Sequence, residues 1–156
     1  MTPKAVFDCV VYVQAAGKPL GPSAACLAAA IAGTVELFAT ADVIAEVEDV
    51  LNRPRFRAQF PHLTDAAVAT FLTTVRAVAV IVVNPPAVAT LARDPKDEKY
   101  LNLAAAASAT HLLTWDNDLL DLMTGTDPDA TAFRTNHPGI AILTPAAFLA
   151  VIRPTP

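Results

Sequence analysis

Short apolar segments alternate with longer segments rich in Ala and Leu along most of the chain, and this alternation limits the fold more than any other feature. The short segments have the length of strands, and the longer ones repeat their apolar residues at helical spacing. Strands that alternate with helices form parallel sheets that are covered by helices on both faces. The sequence therefore predicts an α/β protein with three layers, α/β/α, around a mostly parallel central sheet.

Turn and cap residues divide the chain into individual elements. Pro22 and Pro145 suit the first turn of a helix, and Thr40 and Thr64 suit helix N-caps. Pro54 is predicted to limit the helix that follows Thr40. The polar stretch 124–139 contains two glycines and two prolines and is predicted to be a loop. The predicted strands are 4–8, 35–39, 77–83, 110–114 and 140–143, and the predicted helices are 22–33, 41–52, 64–76, 97–108, 117–122 and 145–152.

Length and composition indicate a single domain, residues 1–156, because no linker or shift in composition divides the chain. No membrane span is expected, since the longest apolar stretch, 66–83, contains Arg76 and several threonines. Asp8 interrupts the apolar run near the N-terminus, which argues against a signal peptide. Cys9 and Cys26 form no zinc or redox motif. A cytoplasmic protein with reduced thiols is therefore expected.

Four carboxylates occupy positions that suit a site. Asp8 and Asp116 stand at or just beyond predicted strand ends, and Glu46 and Asp97 lie in helices that border such ends. In open parallel sheets, ligands bind just outside the carboxyl ends of the strands. Asp8 also lies within an apolar stretch, where a carboxylate tends to be paired or to bind metal. Asp is common at N-caps as well, so each carboxylate also has a purely local explanation.

Converging carboxylates favour one kind of chemistry over the others. Mg²⁺ and Mn²⁺ prefer oxygen ligands, and such ions activate water and stabilise leaving oxygens in phosphodiester cleavage. The chain has no nucleophile-elbow serine motif, no histidines at zinc-ligand spacing and no glycine-rich phosphate loop. Cys9 has no histidine or asparagine partner nearby in sequence to make it a nucleophile. A net charge of −4 counts against nucleic-acid binding, although bound metal would make the site less negative.

Four segments, in this order, resemble the motifs of the PIN-domain family. VFDCVVYVQA is similar to the opening strand that ends in Asp, and ADVIAEVEDVLNRPRF to the helix whose Glu precedes an Arg-Pro pair. DPKDEKYLNLAAAASATHLLTWDNDLLDL is similar to the third and fourth motifs, and IAILTPAAFLAVI to the closing strand and helix. The resemblance is nearest to stand-alone bacterial PIN proteins that act as toxin components of toxin–antitoxin pairs, as VapC-like ribonucleases do.

This resemblance implies a PIN-like fold and an endoribonuclease that depends on Mg²⁺ or Mn²⁺. It also implies an RNA substrate, a small antitoxin partner and a possible homodimer. The implied catalytic residues are Asp8, Glu46, Asp97 and Asp116, and the implied metal ligands are Asp8, Asp97, Asp116 and Asp118. Glu98 is an alternative to Asp97, and Glu48 a weaker alternative to Glu46. Cys9 departs from the family, which usually has Asn, Thr or Ser at this position.

The sequence offers one candidate surface for the negatively charged RNA backbone, and it is compatible with more than one function. Arg53, Arg55 and Arg57 form a compact basic patch that is predicted to bind the RNA backbone, although a solubilising patch is an equal alternative. A catalytically weak PIN module that binds RNA or protein is the alternative function. A flap-type DNA nuclease is a third hypothesis, but the chain is too short to carry the additional DNA-binding elements of such a nuclease.

Overall fold

A computed structural model describes residues 2–153, and many of its helices begin at threonine caps or at prolines. Thr40, Thr64 and Thr144 each accept a hydrogen bond from a backbone N–H of the first turn, and Pro22, Pro54, Pro128 and Pro145 open helices. The strands are β1 (Lys4–Phe7), β2 (Glu36–Ala39), β3 (Val80–Ile81), β4 (His111–Leu113) and β5 (Ala141–Leu143). The helices are α1 (Cys9–Gly17), α2 (Pro22–Ile31), α3 (Ala41–Leu51), α4 (Pro54–Gln59), α5 (Asp65–Val78), α6 (Glu98–Ala106), α7 (Asn117–Leu120), α8 (Pro128–Asn136) and α9 (Pro145–Ile152), with 3-10 turns at Pro95–Asp97 and Asp121–Met123.

The five strands form one parallel sheet in the order β3-β2-β1-β4-β5. The connections β1-to-β2 and β2-to-β3 run in one direction, whereas β3-to-β4 and β4-to-β5 run in the other. Because such crossovers are right-handed, α1, α2, α3 and α5 cover one face, and α6, α7 and α8 cover the other. After β5 the chain returns α9 to α2 on the first face. The predicted three-layer α/β/α architecture is confirmed.

The core lies on both faces of β1 and β4. Ala5, Val6 and Phe7 on β1 are at most 1% exposed, and Leu112 and Leu113 on β4 are fully buried. Helix α6 packs directly against β1, β2 and β4 through its buried side chains, Tyr100, Leu101, Leu103 and Ala104. The central strands are buried on both faces because helices cover both, as parallel sheets require.

Four segments differ from the sequence-based prediction. The predicted loop 124–139 contains α8, because Asp127 caps a helix that Pro128 begins rather than breaks. Pro54 in the same way begins α4, which was not predicted, and the helix α1 directly after Asp8 was also not predicted. The predicted strand 77–83 is only Val80–Ile81, because α5 continues to Val78. No helix within residues 2–153 is long and apolar enough to cross a membrane.

Candidate metal centre

The order of the strands creates a switch point between β1 and β4, since consecutive connections leave in opposite directions on either side of it. Open α/β sheets bind ligands in the crevice that forms there, outside the carboxyl ends of the strands. Asp8 directly follows β1, and Asp116 follows β4 after Thr114 and Trp115. The topology therefore brings these two carboxylates to the same crevice.

Asp8 is a buried carboxylate, only 4% exposed. It caps α1 by accepting a hydrogen bond from the Val11 backbone N–H at 2.9 Å, and it accepts a second one from the Thr114 hydroxyl. Burial, with smaller contributions from the nearby Asp116 and Glu46 charges, raises the pKa of Asp8 to about 6, although both hydrogen bonds oppose that shift. Asp8 is therefore held in one orientation next to other acids.

Thr114 connects the two carboxylates at the switch point. Its buried hydroxyl donates to Asp8 and accepts a hydrogen bond from the Asp116 backbone N–H at 2.9 Å. Asp116 in turn caps α7 by accepting from the Asp118 backbone N–H at 2.9 Å. One side chain thus sets the position of both acids. Its role could have been read from the Thr-x-Asp pattern, but it was not among the predicted site residues.

Two further carboxylates come from the 3-10 turn before α6. Asp94 precedes this turn and Asp97 ends it, and the Asp97 N–H donates to the Asp94 carbonyl at 3.0 Å. One carboxylate oxygen from each of Asp94, Asp97 and Asp116 lies within 4.8 Å of the others. Burial, together with the adjacent Asp116 and Asp94 carboxylates, raises the pKa of Asp97 to about 7. A shift in this direction is expected for a partly buried carboxyl group that shares a site with like charges.

These acids line one small cavity of about 150 Å³. The structure brings all four predicted catalytic residues to it, namely Asp8, Glu46, Asp97 and Asp116. It adds Asp94, which sequence reasoning missed because the turn was read as part of a loop before the helix. Lys96 is the cation that lines the same cavity.

Glu46 is tied to α6 and α1 on one side of the cavity. Its carboxylate forms an ion pair with Lys99 and accepts a hydrogen bond from the Tyr100 hydroxyl at 3.2 Å. Burial raises the pKa of Glu46, but the Lys99 ammonium and hydrogen bonds from Lys99, Cys9 and Tyr100 bring it below its ordinary value. Glu46 is therefore an ionised carboxylate whose charge is already partly matched.

Cys9, the residue that departs from the family pattern, takes part in the hydrogen bonds around Glu46 through its backbone N–H and its protonated thiol. Its N–H donates to the Tyr100 hydroxyl at 3.0 Å. Burial raises the pKa of the Cys9 thiol to about 12, and the Glu46 carboxylate adds to the effect. A thiol that stays protonated can donate a weak hydrogen bond, so Cys9 supports Glu46 as a small polar residue would.

The alternative acids face elsewhere. Glu98 accepts a hydrogen bond from the Leu91 backbone N–H at 2.8 Å, and Glu48 forms an ion pair with Arg76 at 3.2 Å. Asp118 forms an ion pair with Arg93 at 2.8 Å. None of the three lines the carboxylate cavity. The geometry therefore favours Asp97 and Glu46 over their alternatives, and the metal-ligand role of Asp118 stays a prediction.

Arg93 holds the segment that leads to Asp94. Its guanidinium contacts Asp118 at 2.8 Å and Asp121 at 2.9 Å, both on the side of α7. Asp129 accepts a hydrogen bond from the next residue back, the Ala92 N–H, at 2.7 Å. An irregular segment with these contacts has a defined path. The ion pair between Arg93 and Asp118 therefore also helps to fix the position of Asp94, which directly follows Arg93.

The three arginines of the basic patch lie around α4 and do not line the cavity. Arg57 is committed to the fold, because its guanidinium donates to the backbone carbonyls of Leu51 and Leu63 at 2.6 and 3.0 Å. Arg53 forms an exposed ion pair with Asp49 at 2.8 Å. Arg55 is exposed. The structure does not bring this patch together with the carboxylates, and its role in RNA binding stays a prediction.

The donor set fits a hard divalent cation. Asp94, Asp97 and Asp116 offer only oxygen atoms, and these lie close enough together to share an ion. Their mutual repulsion in a small, partly buried cavity is relieved by a bound cation. Residues 2–153 thus contain an α/β fold with an acidic cluster at its switch point, and the oxygen atoms of this cluster could hold a divalent metal ion.

Comparison with known families places the chain within this class. A model of the PIN domain matches residues 4–118, which include β1 to β4 and every carboxylate of the cavity. The chain therefore belongs to the PIN domain family. PIN domains are generally nucleases that use divalent metals, and the acidic cluster is compatible with that activity. No curated protein matches the chain.

Proposed function

We propose that this protein is an endoribonuclease that depends on Mg²⁺ or Mn²⁺ and is the VapC-like toxin of a toxin–antitoxin pair. The observation that carries the proposal is the convergence of Asp94, Asp97 and Asp116 within 4.8 Å, beside the buried Asp8, at the switch point of a PIN fold. We place its action in the cytoplasm, with a small antitoxin protein as partner. A homodimer is a further part of this proposal.

Asp94, Asp97 and Asp116 would hold the metal, and Asp8 would support it through its link to Asp116. A bound Mg²⁺ or Mn²⁺ supplies an activated water and stabilises the charge that develops on the phosphodiester oxygens. Thr114 keeps Asp8 and Asp116 in fixed orientations, so little reorganisation is needed when substrate arrives. Lys96, which lines the cavity, is placed to attract the phosphate that the carboxylates would otherwise repel.

The direct test measures cleavage of single-stranded RNA by the purified protein with Mn²⁺, with EDTA and with a DNA of the same sequence. We expect cleavage of RNA with Mn²⁺ alone and a loss of at least a hundredfold in Asp8→Asn and Asp116→Asn. Ile31→Ala, on the exposed surface of α2, is the control and should cleave as the unchanged protein does. Cleavage that survives in both Asp variants would refute the proposed site.

The toxin role needs a separate measurement. Expression of the chain in a bacterial host should arrest growth, and Asp116→Asn should relieve the arrest at equal protein levels. Co-expression of the proposed antitoxin, sought among small proteins encoded by neighbouring genes, should restore growth by binding the chain. An active ribonuclease without any growth effect would separate the enzymatic proposal from the toxin proposal.

A catalytically weak module that binds RNA is the second candidate, and one observation favours it. Glu46 is already paired with Lys99 at the side of the cavity, which reduces the negative charge left for a metal. The same cleavage assay distinguishes the candidates, because a binding module would retain RNA intact in the presence of Mn²⁺.

A further inference from the structure

A second, larger cavity lies along the same edge of the sheet, outside the ends of β2 and β3. Its volume is about 360 Å³, and we call it the Asn84 cavity. The start of α3, the segment after β3 and one side of α6 form its walls. The residues that line it are Thr40, Ala41, Asp42, Ile81, Val82, Val83, Asn84, Pro85, Lys99 and Asn102.

Helix α6 separates this cavity from the carboxylate cavity. Tyr100 faces the carboxylate cavity, together with Asp97 just before the helix, whereas Lys99 and Asn102 face the Asn84 cavity. Lys99 is paired with Glu46, which lines the carboxylate cavity. The two cavities are therefore adjacent, and a cationic side chain lies at their boundary.

The volumes decide what each cavity can hold. Pockets for small organic ligands measure about 300–1,000 Å³, so the Asn84 cavity reaches that range and the carboxylate cavity does not. The smaller cavity suits a metal ion and a phosphate, and it leaves no space for a nucleoside. A strand whose phosphate reaches the carboxylates must place its neighbouring nucleosides outside that cavity.

The walls of the Asn84 cavity combine an apolar surface with hydrogen-bonding groups. Ile81 and Val83 are large apolar side chains that are 42% and 78% exposed. The Asn102 Oδ1 already accepts from the Val88 and Ala89 backbone N–H groups, so its amide offers only N–H donors, whereas the Asp42 carboxylate offers acceptors. A nucleobase has an apolar face for the first surface and an edge of donors and acceptors for the second.

The backbone turns at Asn84, at the mouth of the cavity between Val83 and Pro85. Asn84 has a φ of 47°, in the left-handed region that Asn adopts more readily than most non-glycine residues.

We propose that the Asn84 cavity binds a nucleoside of single-stranded RNA, next in the strand to the phosphate that lies at the carboxylates. This inference rests on the proposed function. The base contacts Val83 and Ile81, its edge bonds to Asp42 and Asn102, and Lys99 contacts the connecting phosphate. The net charge of −4 disfavours RNA binding through charge alone. Contacts between the base and this subsite would supply RNA affinity that does not depend on charge.

The test compares two charge-matched variants, Val83→Asp in the cavity wall and Val151→Asp on α9. Both valines are exposed, by 78% and 53%, so both variants keep the fold and the same net charge. Ala41→Trp, at the exposed start of α3, fills the cavity without adding charge and is the second cavity variant. Binding of a fluorescent single-stranded RNA is measured by anisotropy with Ca²⁺, which occupies oxygen sites and keeps the substrate intact.

We expect roughly tenfold weaker RNA binding in Val83→Asp and in Ala41→Trp, since the loss of one stacked base has that effect, and no change in Val151→Asp. Unchanged affinity in both cavity variants, or an equal loss in Val151→Asp, would overturn the proposal. Hydrolysis of bis(p-nitrophenyl) phosphate with Mn²⁺ is measured in parallel, because this small diester needs only the carboxylate cavity. If no protein hydrolyses the diester or RNA, the nuclease proposal fails, and the anisotropy result still decides on the subsite.

Discussion

At the scale of single residues, the carboxylates that form the proposed metal site also lower the stability of the metal-free fold. Asp8, Asp97 and Asp116 are arranged so that the carboxylates repel one another or lose hydration, and the raised pKa values of Asp8 and Asp97 express that cost. Perturbed carboxylates in a cleft are a frequent property of functional sites. Two substitutions test this arrangement.

Asp97→Asn should stabilise the metal-free protein at pH 8. The pKa of Asp97 rises from 3.8 to about 7 on folding, so above pH 4 the unfolded chain releases this proton more readily than the folded one. Ionisation therefore lowers the stability of the fold between pH 4 and pH 7, and the full loss is present above pH 7. In EDTA, the melting temperature of Asp97→Asn should exceed that of the unchanged protein by a few degrees at pH 8 and equal it below pH 4.

Glu36→Gln is the control for this prediction, because Glu36 is exposed at the start of β2 and does not line the cavity. Glu36→Gln should leave the melting temperature at pH 8 unchanged. Saturating Mn²⁺ should reverse the order, because only the unchanged protein gains the full binding free energy. A variant that melts below the unchanged protein at pH 8 in EDTA would show that Asp97 is stabilising.

Thr114→Val should disturb the acids without removing one. The substitution deletes the hydroxyl that donates to Asp8 and accepts from the Asp116 N–H, so Asp8 Oδ2 and the Asp116 N–H both lose this partner. We expect a loss of about 1–3 kcal/mol in unfolding free energy and about tenfold weaker Mn²⁺ binding by calorimetry. Thr114→Ser keeps the hydroxyl and should retain most of the affinity. Equal Mn²⁺ affinity in the Val and Ser variants would contradict the role of this hydroxyl.

At the scale of elements, short helices and irregular segments position the site more than the sheet alone does. The 3-10 turn before α6 carries Asp94 and Asp97, and α6 carries Tyr100 on one side and Lys99 on the other. Helix α4, at the end of α3, instead has a structural role through Arg57. Its contacts explain why a basic patch in the sequence need not mark a nucleic-acid surface.

Arg57→Ala should therefore affect stability rather than RNA binding. Arg57 donates to two backbone carbonyls and to Asn52 and Asp65, and its side chain is 21% exposed. We expect a loss of about 2 kcal/mol in urea unfolding, because these carbonyls lose their donor. Arg55→Ala, on the exposed side of the same helix, should change stability by no more than about 0.5 kcal/mol. A tenfold loss of RNA affinity in Arg55→Ala would support the predicted role of the patch in RNA binding.

At the scale of the whole molecule, metal binding should be visible as a gain in stability. An ion that binds the folded protein preferentially contributes about 2.7 kcal/mol at a hundred times its Kd, which corresponds to a rise of several degrees in Tm. We expect Mn²⁺ at millimolar concentration to raise Tm, and the effect to grow from pH 5.5 to pH 8 as Asp8 and Asp97 lose their protons. Differential scanning fluorimetry measures this shift, and Asp116→Asn should abolish most of it. A Tm that Mn²⁺ leaves unmoved would argue against a preformed site.

The sequence by itself determined the architecture and most of the acids. Alternating strand and helix patterns are local properties, so the three layers and the strand-end position of Asp8 could be predicted from them. Pro128 and Pro54 were misleading because proline either ends or begins a helix, and only the hydrogen bonds around it decide which.

Only the tertiary structure decided which charges meet. Asp94 joins Asp97 and Asp116 because the 3-10 turn lies against the end of β4, a contact between residues distant in sequence. The ion pairs of Asp118 with Arg93 and of Glu46 with Lys99 likewise join residues that are distant in sequence. Charge interactions act through space over a few ångströms, so a pattern along the chain cannot determine them.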